Sequence, residues 1–213
     1  MKPPSFADAP PPHPDLRFEK AETGFARFLR MDVVHFRHRL YSGAWSGERV
    51  YDLVRRGDAV AILLYDPERE AVVLVEQYRL APAYAGMSPW QLETVAGLVD
   101  GDEPYESVAR RETREEAGLD PIGELIPIQR YLPSPGHSDE SVMLYCGRID
   151  SSGAGGIHGL AEENEDIRVV VKPMTEIEAM VDSGRIDNGH TLICLYWLLR
   201  HREEVRRRWG FHA

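Results

Sequence analysis

Two apolar runs, residues 59–65 and 71–77, dominate the first half of the chain, and the stretch that splits them, Asp66-Pro67-Glu68-Arg69-Glu70, is made of turn-forming residues. Runs of this length bounded by turn signals predict a hairpin of buried strands. Upstream, residues 28–41 alternate in part between apolar and charged, as a half-buried strand does. Residues 42–47 read as a turn into a second short strand near 50–54. Residues 1–57 are therefore expected to be a Pro-rich lead-in plus a small N-terminal β-rich accessory unit, and residues 58–213 the main domain. Further strands are predicted at 91–96, 125–131, 141–149 and 168–171. A helix over 104–116 has Asp102 and Glu103 at its start, Pro104 in its first turn and Gly118 just past its end. Thr175-Glu-Ile-Glu178 reads as a capping box opening a helix that Gly184 closes, and Asp187-Asn188-Gly189 introduces a last amphipathic helix from His190 to about Trp209. Strands interleaved with two or three helices define an α/β fold.

Composition narrows the classes. A chain of 213 residues, 43% of them hydrophobic, suits one catalytic domain with an accessory segment. No apolar run reaches the roughly 18 residues that would span a bilayer. Residues 1–15 hold six of the 15 prolines and lack the charged start and apolar core of a signal peptide, so an extended lead-in is expected. Cys146 and Cys194 are the two cysteines, each in an apolar stretch, which points to a reducing cytoplasm rather than a disulfide framework. A formal charge of -10 argues against a nucleic-acid binder. It also means that a phosphorylated ligand needs metal ions and a few well-placed arginines. The basic cluster Arg200, Arg202, Arg206, Arg207 and Arg208 falls at the end of the last helix, where cations complement the dipole. His35 and His38, three apart on a strand, point to opposite faces and do not make a shared metal site.

The chemistry is concentrated in residues 97–119, Gly97-Leu-Val-Asp-Gly-Asp-Glu103-Pro-Tyr-Glu-Ser-Val-Ala-Arg-Arg111-Glu112-Thr-Arg-Glu115-Glu116-Ala-Gly118-Leu119. On a helix, Glu112 and Glu116 stand one turn apart on one face with Glu115 beside them. Like charges so placed near a helix C-terminus repel each other and oppose the macrodipole, so a cation should compensate them. Oxygen-only ligands favour a hard ion such as Mg²⁺ or Mn²⁺. The stretch matches the Nudix box, Gly-x5-Glu-x7-Arg-Glu-(apolar)-x-Glu-Glu-x-Gly-(apolar), everywhere but at Thr113, where a larger apolar residue is usual. The chain is thereby identified as a member of the Nudix hydrolase superfamily, and the fold this implies is an α/β/α sandwich.

Other segments resemble the bacterial, homodimeric ADP-ribose pyrophosphatases: Pro135, 16 positions after Leu119, together with Phe36-Arg-His-Arg-Leu40, Val75-Glu-Gln-Tyr-Arg79, Ser134-Pro-Gly136 and residues 156–167. The resemblance covers nearly everything after residue 24. It implies that Glu112, Glu116, Glu165 and the main-chain carbonyl of Ala96 hold Mg²⁺, that Glu115 shares a second ion or its water, and that Arg111 and Glu103 orient the glutamates. It further implies Glu163 as general base and Arg79 on the diphosphate. Glu140 would meet the terminal ribose, and Phe28 would stack on adenine across a homodimer with swapped N-terminal units. Ser134 and Asp52 complete the expected substrate contacts. Residues 162–166 read equally as an acidic solvated loop, and Arg79 and Glu140 as surface ion pairs. One departure concerns Tyr51, which stands where an arginine is usual; Arg49, on the same strand face, or stacking by Tyr51 itself would have to take its place. The rival readings are a GDP-mannose pyrophosphatase and a non-catalytic ADP-ribose sensor.

Overall fold

The partial alternation before residue 57 resolves, in the computed structural model, into a three-stranded antiparallel sheet of β1 (Leu16–Ala26), β2 (Arg30–His38) and β3 (Arg49–Arg55), in that order. The structure describes residues 6–211 and, at Glu163, the main chain alone. β1 was not expected from the pattern, because Leu-Arg-Phe-Glu-Lys-Ala-Glu-Thr-Gly-Phe-Ala buries little. Its order comes from its ladder with β2, running from Leu16 opposite His38 to Ala26 opposite Arg30. The strand expected from residue 28 begins instead at Arg30. Arg27 to Leu29 make the β1–β2 turn, with Arg27 N–H donating to Leu29 O at 2.8 Å. Asp32 is fully buried between Arg30, Arg55 and Thr23, which hold its carboxyl below the usual range even though burial alone would raise it. This unit runs through the described residues to Asp58 and includes Leu132–Ser141, whose Ser138 bridges to Val54.

The second unit comprises Ala59–Tyr131 and the described residues from Val142 onward. Its centre is β4 (Asp58–Asp66), which buries Val60, Ile62 and Leu64 on one face and Ala61, Leu63 and Tyr65 on the other. β5 (Ala71–Tyr78) divides likewise, and the predicted hairpin forms, with the Asp66 carboxylate accepting from Glu68 and Arg69 N–H groups in the turn. A short α1 (Leu80–Tyr84) follows, then β6 (Trp90–Glu93) and β7 (Val95–Leu98). These replace the single strand expected over 91–96. β6 pairs with β5 and β7 with β4, so the chain changes neighbours at Thr94, whose N–H donates to Thr191 Oγ1 at 3.0 Å.

Helix α2 (Tyr105–Ala117) packs Val108, Ala109 and Ala117 on the Ile62 face. β8 (Ile126–Tyr131), β9 (Ser141–Arg148), the two-residue β10 (Ile157–His158) and β11 (Ile167–Pro173) complete a sheet of order β10-β11-β5-β4-β9-β8. On the Leu63 face lie α3 (Met174–Asp182), through Met174, Ile177 and Val181, and α4 (Gly189–Arg208), through Cys194, Leu195, Leu198 and Val205. The layers are helix, sheet, helix, as the α/β/α reading requires. Thr175 does not cap α3; the N-cap is Pro173, two residues earlier, with no side-chain cap. Arg202 and Arg206 pair with Glu70 and Arg208 with Glu124, so part of the basic cluster is paired rather than merely solvated. Among the described residues no helix is long and apolar enough to cross a membrane.

Gly118 ends α2 in the left-handed region at φ 64°, its N–H donating to Arg114 O at 3.1 Å. A Cβ there would also fall 2.5 Å from His158 Cε1. Gly118→Ala should cost about 1–3 kcal/mol for the backbone conformation, read as a lower midpoint in urea unfolding.

Candidate metal and diphosphate site

The acidic face of α2 is built against β7. Glu116 is 4% exposed, and its Oε2 accepts the Ala96 N–H at 3.2 Å. Glu112 lies over Gly97 so closely that a Cβ on that residue would stand 1.9 Å from Glu112 Oε1. Only glycine admits the glutamate. Arg111 Nη1 donates to Glu112 at 2.7 Å and to Glu115 at 3.0 Å, and its Nη2 to Glu103 at 3.4 Å, so Arg111 binds three of the acids together. Thr113 is fully buried on the core side, and its hydroxyl donates to Ala109 O at 2.7 Å. That bond satisfies the one polar group the departure from the motif introduces.

Glu165 arrives on the segment after β10. Gly159 N–H donates to Glu115 O at 3.1 Å, tying this segment to the end of α2, and the Ala161–Glu163 3₁₀ turn follows. Glu165 Oε2 accepts Leu160 N–H at 3.0 Å. The expected general base, Glu163, ends that turn, and its side chain lies outside the described residues.

Burial pushes the Glu112 carboxyl up to about 7; Arg111 opposes this, and the charges of Glu115 and Glu165 add to it. Burial likewise takes Glu116 up to about 8, opposed by the Ala96 amide and reinforced by Glu112 and Glu165. Arg111 is held well above its ordinary value, its carboxylate neighbours outweighing the effect of burial. Among the described residues no three acidic or imidazole groups already form a ligand set. The glutamates are turned instead onto Arg111 and onto the Ala96 and Leu160 amides. The donors nevertheless fit a hard divalent cation. They are all oxygens, the neighbouring carboxylates add to the rise at Glu112 and Glu116, and a second positive charge would relieve that.

Arg79, at the N-cap of α1, is anchored on buried Glu93. Its Nε and Nη2 donate to Oε2 at 3.0 and 2.8 Å. The expected surface ion pair is thus a half-buried one. Burial would lower the Arg79 pKa, but the Glu93 bonds and the charges of Glu93, Glu116 and Glu165 raise it.

The remaining expected residues belong to the first unit. Glu140 Oε1 stands 2.9 Å from Arg56 Nε, an ion-pair contact without hydrogen-bond alignment. Ser134 Oγ is 3.1 Å from His137 Nδ1. Asp52 and Arg49 are exposed, and Phe28 is 48% exposed in its turn. Tyr51 meets Phe36 edge-on at 6.3 Å. The sequence reading missed Glu93, Gln77 and Asn188, which surround Arg79's anchor. The signal for Glu93 was a lone acid in the otherwise uncharged run Leu92-Glu93-Thr94-Val95.

A sandwich whose box helix carries buried glutamates over a glycine defines a class, and a NUDIX domain model matches residues 55–189. The chain belongs to the NUDIX family and is a hydrolase. It is 41% identical to an ADP-ribose pyrophosphatase of Escherichia coli strain K12 over 92% of this chain and 93% of that protein. It is 38% identical to an ADP-ribose pyrophosphatase of Haemophilus influenzae over 92% and 91%, and 38% identical to a GDP-mannose pyrophosphatase of Citrobacter koseri over 70% and 75%. A crystal structure of an ADP compounds hydrolase superposes with a TM-score of 0.68 at 18% identity, covering 92% of this chain and 96% of that one, a likeness of fold.

With folded pKa values of about 7 and about 8 against the usual 4.5, the folded metal-free protein binds more protons than the unfolded chain between those limits. Its stability should therefore fall as pH rises from about 4.5 to 8. Saturating divalent cation should raise Tm more at the alkaline end of that window than at the acid end, as thermal melts at several pH values will register. Gly97→Ala should displace Glu112 and weaken divalent-cation binding roughly tenfold or more, measured by calorimetry.

Proposed function

We propose that this protein hydrolyses the diphosphate of ADP-ribose in a Mg²⁺-dependent reaction, releasing AMP and ribose 5-phosphate. The observation that carries this reading is the extent of the likeness. Identity of 41% to an ADP-ribose pyrophosphatase runs through 92% of the chain, whereas the GDP-mannose pyrophosphatase match covers 70%.

In this reading Glu112, Glu116, Glu165 and the Ala96 carbonyl hold Mg²⁺, with Mn²⁺ as a possible substitute, and Glu115 assists with a second ion. A bound divalent ion supplies charge neutralisation for the diphosphate and acidity for the attacking water. Glu163 accepts the proton of that water as its oxygen attacks phosphorus and the bridging P–O bond breaks. Arg111 and Glu103 orient the metal-holding glutamates. Arg79 donates to the phosphate oxygens in charge-assisted bonds. Glu140 and Ser134 contact the ribose side, and Asp52, Tyr51 and Phe28 the base side. Residues 1–57 serve as an accessory and dimerisation unit exchanged between two copies in the cytoplasm, while residues 58–213 carry the chemistry.

The test is Mg²⁺-dependent hydrolysis of ADP-ribose beside GDP-mannose, with products separated by chromatography. AMP and ribose 5-phosphate at a kcat/KM well above that for GDP-mannose is the expected result. A preference for GDP-mannose keeps the metal chemistry and discards the base contacts, and binding without turnover discards the enzyme. Glu163→Gln should lower kcat by roughly 10² to 10⁴ fold with an unchanged Tm.

A further inference from the structure

Arg79 does not reach its position unaided. Its backbone N–H donates to Pro89 O at 2.7 Å, and its guanidinium lies along the Glu93 carboxylate through Nε and Nη2. Glu93 is 2% exposed, and both of its oxygens are occupied: Oε2 also receives Gln77 Nε2 at 3.2 Å, and Oε1 receives Asn188 Nδ2 at 2.8 Å. Asn188 is in turn the N-cap of α4. Its Oδ1 accepts from Thr191 N–H at 3.3 Å and Thr191 Oγ1 at 3.2 Å, while the same hydroxyl oxygen accepts from Thr94 N–H at 3.0 Å. The change of strand partner at Thr94, between β6 and β7, and the start of α4 are therefore laced together around one buried acid.

That lacing leaves a particular edge of the arginine unused. Among the described residues Arg79 Nη1 has no hydrogen-bond partner, and the charges of Glu116 and Glu165 reach the guanidinium. A guanidinium with one edge clamped, its Nη1 without a partner among the described residues, and the charges of the proposed metal-holding glutamates acting on it is pre-oriented for an anion.

We propose that Glu93 is a positioning residue for substrate binding, held by Gln77 and by the α4 N-cap residue Asn188, and that it aims the Nη1 edge of Arg79 at the diphosphate. The inference rests on the reading of Arg79 as a diphosphate contact. Asn188 thereby has two functions, with its oxygen capping α4 and its amide fixing Glu93.

The test measures kcat, KM for ADP-ribose at saturating Mg²⁺, and Tm for Arg79→Ala, Glu93→Gln, Asn188→Ser and the double variant Arg79→Ala/Glu93→Gln. Glu93→Gln keeps the shape and replaces one acceptor oxygen with a donor that faces another donor; KM should rise about 10- to 100-fold with kcat within a few-fold. Asn188→Ser retains a capping oxygen but loses the amide that donates to Glu93, so it should raise KM several-fold at nearly the wild-type Tm. In the Arg79→Ala background Glu93→Gln should add nothing. Arg79→Ala with a wild-type KM overturns the diphosphate reading and this inference with it. A raised KM in Arg79→Ala beside wild-type values in Glu93→Gln and Asn188→Ser overturns this inference alone. So does a Glu93→Gln effect that persists undiminished without Arg79, which would mark a purely structural acid.

Discussion

Glu112 and Glu116 are held where burial disfavours their charges, and the surrounding structure is arranged to make that placement possible. Glu116 is buried under β7, Glu112 rests on Gly97, and Glu165 adds its charge from the segment ahead of β11. Carboxylates in low-dielectric surroundings bind protons or cations rather than stand alone. Arg111 supplies one counter-charge and in doing so draws Glu103, Glu112 and Glu115 together. The absence of a side chain at Gly97 sets how near the acidic face of α2 comes to the strand. The left-handed turn at Gly118 releases the chain beside His158, and the tie from Gly159 to the Glu115 carbonyl carries the Glu165 segment back to the same helix.

The site forms where regular pairing stops. Between β6 and β7 the chain leaves one neighbour for another at Thr94, which lets Glu93 turn into a pocket of donors instead of projecting from a continuous strand. The 3₁₀ turn at Ala161–Glu163 interrupts the approach to β11 and precedes Glu165. The sandwich itself is maintained by the two faces of β4 and β5 and by the helices on either side, and Leu92 and Val95, which flank Thr94, stay buried in those two faces.

Much of this was legible in the sequence because its signals are local. The spacing Arg111-Glu112-x-x-Glu115-Glu116 fixes one helical face, and the apolar runs of β4 and β5 announce buried strands whatever surrounds them. The failures share a physical cause, since each depended on contacts with residues outside the segment being read. β1 is ordered by β2 rather than by its own apolar content. Thr175 looks like a cap, yet the helix begins at Met174, two residues sooner than such a cap would place it, with Pro173 at the N-cap and the Met174 N–H donating to Glu70 O. Glu93 reads as a stray charge until Asn188, nearly a hundred residues later, is seen to bind it.

Glu112 and Glu116 are kept partly protonated, by burial and by neighbouring carboxylates, for a divalent cation to discharge. Calorimetric titration of the protein with Mg²⁺ at about pH 7, repeated in buffers of different ionisation enthalpy, measures the protons exchanged on binding. The account predicts net proton release that shrinks in Glu116→Gln, because carboxyls titrating near 7 and 8 lose their protons to the incoming charge. Binding with no proton exchange, or with the same release in Glu116→Gln, would contradict it.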